Sequence, residues 1–282
     1  MSERAHSEKR ATKHVASEAT DEQYFKLFTA PLNACARYKP KFGKGGTSGV
    51  DLEQFRRMYG EDPFYSWIGL DSPLMYAAHK AAGSMTSIYR QLGIGGERVF
   101  NKILQNTLGL TAEQAAWTYK VPVPGKKDKT LYLDGRIEFD DVQSDALRRR
   151  VKRWADKVTA EIIPEDKARS LIRGVVFEVR QGYKSKDSKR QNADINNASS
   201  AYVNLYVPIL FLLSTQIDND IALRYRQARW LLLIGTITGS NTESGYAFCR
   251  EVLGYDLAAF YQRNSQRIKE KLERVLETLL SA

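Results

Sequence analysis

Apolar positions change their spacing along this 282-residue chain, and the changes mark its elements. From Gln23 to Tyr38 and from Val50 to Gly60 they recur at helical intervals, and the Gly-rich basic run Lys39 to Gly49 separates the two segments. Asp51, or Thr47-Ser48, stands at the start of the second helix. Ser72 followed by Pro73 then predicts an N-cap and first helical position, opening a long, largely buried helix that ends at Gly93. A further helix follows, with Val99, Ile103, Leu104 and Leu108 on one side and Glu97 in its first turn.

After that helix the period shortens. "KTLYLDGRIEF" predicts strand, turn and strand around Asp134-Gly135. Ser144 or Asp145 caps a helix whose apolar face is Leu147, Val151, Trp154, Ala155, Val158 and Ile162. "GVVFEVR" and "VPILFLLST" predict buried strands, joined by a helix with Ile195, Ala198, Tyr202 and Leu205 at helical spacing. A short helix, the buried strand "RWLLLIGT" and a long terminal helix capped by Asp256 complete the chain. Trp67, Trp154 and Trp230 are expected in the core.

Helices alternating with strands from about residue 94 predict an α/β fold: a mixed central β-sheet flanked by helices, preceded by a helical N-terminal region. The expected organisation is a flexible arm (1–20), a helical region (21–93) and a core with the C-terminal helix (94–282).

Charge adds a partner class. The formal net charge is +10, which favours a polyanion. Cys35 and Cys249 form neither a metal-spaced pair nor a disulfide framework, and the expected location is the cytoplasm. Neither a secretory signal nor an apolar run of membrane-spanning length is seen, so no membrane partner is expected. Of the three histidines, His6 and His14 lie in the arm, and His79 is expected at the core or its boundary.

The candidate chemistry lies in "RGVVFEVRQGYKSKDSKRQNAD". Glu178 and Arg180 project from one side of a strand, where it leaves the sheet. The segment after them mixes Lys184, Lys186, Lys189 and Arg190 with Asp187, Gln191 and Asn192. Lys and Arg bind phosphates or guanine edges, while Gln, Asn and Asp read adenine and cytosine. A solvated charged loop is the plain alternative. Asp134 by itself suits an Asp-Gly turn, and Glu97 suits a helix dipole.

Taken in order, a helix with Glu97, a strand end with Asp134, a helix, then Glu178-x-Arg180 and a basic segment resemble the PD-(D/E)xK nuclease superfamily, and within it type II restriction endonucleases. The likeness covers about Glu97 to Gly235. It implies a restriction-endonuclease-like core, with Asp134 and Glu178 as Mg²⁺ ligands, Arg180 at the usual lysine position and Glu97 beside the metal. It also implies double-stranded DNA as substrate, a homodimer, and a DNA methyltransferase as functional partner. Two departures stand out: Leu133 replaces the motif proline, and Arg180 replaces lysine and is a very poor proton acceptor. Asp140 and Asp141 remain alternatives to Asp134, and Gln181 to Arg180. A non-cleaving DNA-binding protein and a repair or RNA nuclease on the same fold are the competing readings.

Overall fold

The computed structural model describes residues 19–41, 49–121, 125, 127–183 and 188–280. In chain order these form α1 (residues 19–29), a 3-10 helix (Ala30–Arg37), α2 (Leu52–Gly60), α3 (Pro63–Trp67), α4 (Pro73–Leu108), α5 (Ala112–Ala115), β1 (Trp117–Val121), β2 (Lys129–Leu133), β3 (Gly135–Glu138), α6 (Asp145–Ile162), α7 (Asp166–Ser170), β4 (Gly174–Arg180), α8 (Ser188–Val203), β5 (Tyr206–Leu212), α9 (Asn219–Gln227), β6 (Leu231–Leu233), α10 (Gly245–Phe248), α11 (Leu257–Arg263) and α12 (Ser265–Leu280). Two compact units result, Met1–Gly95 with Arg263–Ala282, and Gly96–Gln262. The C-terminal helix, expected with the second, belongs to the first. The expected N-terminal arm lies almost wholly outside the described residues.

The described part of the first unit is helical throughout. Asp51 opens α2 with a capping box: its carboxylate accepts from the Gln54 amide, and the Gln54 side chain accepts from the Asp51 amide. Ser72 caps α4 through the Met75 amide, as its place before Pro73 predicts. A core of Leu32, Cys35 and Ile88 closes on Val275 and Leu279 of α12. Phe55, Val50 and Tyr76 form a second.

Three expectations change here. In its first half α4 buries only one stripe, Tyr76, Lys80, Ser84 and Ile88, with Met75 partly buried beside it. Trp67 is 82% exposed rather than in the core: α3 is a single turn with no buried residue. The helix does not stop at Gly93 but runs on to Leu108. Gly93 has open space around it, while Gly95 and Gly96 serve close approach. A Cβ on Gly95 would stand 2.3 Å from the Phe28 carbonyl oxygen, and one on Gly96 would meet Leu213.

In the second unit the main sheet is four-stranded, ordered β3-β4-β5-β6. β3 is antiparallel to β4, while β4, β5 and β6 are parallel. It is thus a mixed sheet, and β5 is buried along its whole length. α6 contributes Val151, Trp154, Ala155 and Val158 to the core, and Ser144 caps it. β1 and β2 pair separately as an antiparallel hairpin. β1 was not foreseen, although Trp117, Tyr119 and Val121 alternate with Thr118 and Lys120 as a half-buried strand requires. The terminal helix is divided at Asn264 into α11 and α12, and Asp256 caps α11 through the Ala259 amide. Among the described residues no helix is long and apolar enough to cross a membrane.

Gly95→Ala tests the close approach. Alanine gains about 1 kcal/mol of helix propensity over glycine, whereas overpacking against a fixed carbonyl costs about 1–3 kcal/mol. The expected net outcome is destabilisation, read as a lower urea midpoint with an unchanged slope.

Candidate active site

Asp134 is not a hairpin turn. The strands on either side of it, β2 and β3, pair with β1 and β4 respectively and belong to different sheets. Asp134 is therefore the residue at which the chain switches sheets. The register Gly135↔Phe177 makes it the neighbour of Glu178 across the β3–β4 pair. Its carboxylate Oδ2 accepts from the Val179 amide at 2.8 Å, continuing the ladder with a side chain. Asn101 of α4 holds the switch from behind. Its amide nitrogen donates to the Asp134 carbonyl at 3.2 Å and to the Ala115 carbonyl at 3.1 Å. Gln105, one turn on, fixes Asn101 by donating to its Oδ1 at 2.6 Å.

The same register separates the Asp alternatives. Glu138 opposes Gly174, so Asp140 and Asp141 follow the end of β3 that lies at the start of β4, away from Glu178. Asp141 there pairs with Arg136 at 3.3 Å. Glu138 is engaged too, by Arg173 and Tyr206. Burial acts to raise its carboxyl, but these partners together outweigh it and hold the group below the usual range.

Glu178 and Arg180 do project together, as two residues two apart on a strand must. Arg180 Nη2 stands 2.8 Å from Glu178 Oε1. The same nitrogen donates to both oxygens of Asp194, at 3.0 and 2.9 Å. The Tyr183 ring lies 5.4 Å from the guanidinium carbon, and Tyr225 donates its hydroxyl to Asp194. Burial acts to lower the Arg180 pKa, but the charges of Glu178 and then Asp194 outweigh it and raise the value. Burial, reinforced by Asp194, likewise raises the Tyr225 phenol. The guanidinium predicted to face a phosphate is therefore buried and already bound to two carboxylates.

Glu97 lies well inside α4 rather than in a first turn, so a helix dipole does not account for it. Its carboxyl is pushed up to about 7, chiefly by burial and further by Asp134, with Arg98 acting against the rise. Electrostatics thus ties Glu97 to Asp134, and register ties Asp134 to Glu178. Tyr119 of β1 borders the same group: burial raises its phenol, a bond with Ser200 opposes this, and Glu178 adds to the rise. Its hydroxyl donates to Asn197 of α8.

Of the predicted DNA-contacting residues, Lys184, Lys186 and Asp187 lie outside the described residues. Lys189, Arg190, Gln191 and Asn192 belong to the opening of α8, which begins at Ser188 rather than after a longer loop. Asn192 is exposed and accepts from Arg224 of α9 at 3.2 Å. The face of α8 also differs from expectation. Asp194, Asn197, Ala198 and Ala201 are buried, whereas Leu205 is exposed beyond the helix end. Asp194, Asn197 and Tyr225 were missed because a polar residue on a helix reads as solvent-facing. The available signal was spacing: Asp194 and Asn197 share a helical face with Ala198 and Ala201.

The donor set of Glu97, Asp134 and Glu178 is all carboxylate oxygen, the chemistry that suits a hard divalent cation. Among the described residues, no three His, Cys, Asp or Glu side chains are grouped closely enough to hold a metal.

The raised Glu97 pKa has a stability consequence. The folded state holds this proton between the ordinary glutamate value and about 7, so ionisation of Glu97 costs stability as pH rises through that window. Glu97→Gln is expected to stabilise the metal-free protein by about 1–2 kcal/mol at pH 8, after discounting for partial exposure, and to change little at pH 4. Thermal melting at the two pH values checks this.

Compared with family models, curated proteins and solved structures, the chain matches none of them.

Proposed function

We propose that this protein is a Mg²⁺-dependent endonuclease of double-stranded DNA, of the type II restriction kind. The observation that carries the reading is the adjacency of Asp134 and Glu178 across β3–β4, at the end of β4 from which the basic segment departs. Residues 44 positions apart in sequence, each with a plain local explanation, become neighbours only through the register. The charge of Asp134 also acts on Glu97, adding to the effect of burial.

Asp134 and Glu178 would hold the ion. Bound there, Mg²⁺ would supply charge stabilisation at a phosphoryl oxygen and acidify a water ligand. The chain's own residues do the rest. The Val179 amide and Asn101 keep Asp134 at the sheet edge. Arg180 fixes Glu178. Glu97, whose carboxyl is pushed up chiefly by burial and further by Asp134, would hold a proton near that site. The basic residues Lys184, Lys186, Lys189 and Arg190 would grip phosphate, and Asp187, Gln191 and Asn192 would meet base edges. Two-fold symmetric targets call for a homodimer.

A second reading, a DNA-binding protein that does not cut, is favoured by Arg180. It occupies the lysine position of the motif, is buried, and is engaged by Asp194 and Glu178. Digestion of plasmid DNA with and without Mg²⁺ separates the two. Under the leading reading, cleavage requires Mg²⁺ and falls roughly a hundredfold or more in Glu178→Ala and Asp134→Asn. Cutting that persists without Mg²⁺, or that is unchanged in Glu178→Ala, excludes it. Specific binding without any cleavage selects the second.

A further inference from the structure

Arg180 presents one nitrogen to two acids: Glu178 at 2.8 Å, and both oxygens of Asp194 at 3.0 and 2.9 Å. All three side chains are almost withdrawn from water, with exposures of 8% for Arg180, 13% for Glu178 and 5% for Asp194. Tyr225 of α9 holds Asp194 in turn through its hydroxyl. Where water screens weakly, a buried cation is strongly attracted by each neighbouring anion. Whatever share of Arg180 is taken by Asp194 is not available to neutralise Glu178.

We propose that Asp194 is a positioning residue for the carboxylate site. By engaging Arg180 from α8, it leaves Glu178 with enough negative charge, and in a fixed orientation, to hold a divalent cation beside Asp134. The inference rests on reading Asp134 and Glu178 as cation ligands. It also accounts for an arginine at the motif's lysine position, since Arg180 orients Glu178 while its own charge is balanced from the other side. A simple staple between β4 and α8 would need the Arg180–Asp194 pair but would make no demand on Glu178.

Calorimetric titration of the full-length protein with Mg²⁺ distinguishes the two, with circular dichroism confirming the fold of each variant. Asp194→Asn hands the whole of Arg180 to Glu178 and is expected to weaken Mg²⁺ binding about tenfold. Adding Arg180→Gln removes the competing cation and is expected to restore affinity to within about threefold of the parent. Tyr225→Phe keeps every charge and the ring, and is expected to weaken binding about threefold; it serves if Asp194→Asn alone fails to fold. Unchanged affinity in a folded Asp194→Asn or Tyr225→Phe protein overturns the proposal. So does a double variant that binds no better than Asp194→Asn.

A metal-free arm is independent of the nuclease reading. Either acid alone still pairs with Arg180, so Asp194→Asn combined with Glu178→Gln should lower the melting temperature by more than the two single losses together. Strictly additive losses overturn the shared cation. A parent protein that neither binds Mg²⁺ nor cuts DNA, yet shows this non-additivity, sinks the cation-site reading while the coupling stands.

Discussion

The buried guanidinium of Arg180 joins three elements that have no covalent reason to meet. It ends β4, pairs with Asp194 on α8, and through Asp194 reaches Tyr225 on α9. Withdrawing such a charge from water costs several kcal/mol, and the cost is offset only when acids of good geometry surround it. Here two carboxylates do so, and an aromatic ring covers one side. The arrangement therefore constrains its neighbours strongly. α8 must bring Asp194 to the strand end, and α9 must bring Tyr225 behind it. Glu178 is turned to the same point by strand geometry.

Charge distribution gives this constraint a wider meaning. The chain carries a net +10, yet two carboxylates, Glu178 and Asp194, flank the guanidinium at the end of β4, and Asp134 is the register neighbour of Glu178. A surplus of this size favours polyanions in general, while the acids at this strand end are held by their own cation and amide partners. Burial, with the charge of Asp134 adding to it, pushes the Glu97 carboxyl up. The long α4 helix contributes twice to this place, through Glu97 and through Asn101, which grips the backbone of Asp134.

Much of the layout was legible in the residues themselves. Capping by Asp51, Ser72, Ser144 and Asp256 depends on neighbours within three positions, and all four appear where local chemistry puts them. The apolar runs of β4 and β5 announced burial on both faces. Errors arose where local chemistry had two solutions. Glycine can end a helix, but it also admits a neighbour at close range, and at Gly95 and Gly96 the Phe28 carbonyl and Leu213 occupy that space. Asp134-Gly135 suits a hairpin locally, yet β3 pairs with β4 instead of β2.

The sequence by itself therefore determined the types of most elements, most of their caps, and the fact that Glu178 and Arg180 leave one face of one strand. Tertiary structure decided which carboxylates share that place. Asp134 gains its neighbour from an antiparallel register set by strands far apart in the chain, and Asp194 gains its role from the face that α8 turns inward. Neither is a local property. Caps and periodicity are settled within one or two turns of chain, whereas register and helix rotation are settled by burying many residues together, and a polar side chain on the buried face is stable only once its partner has arrived.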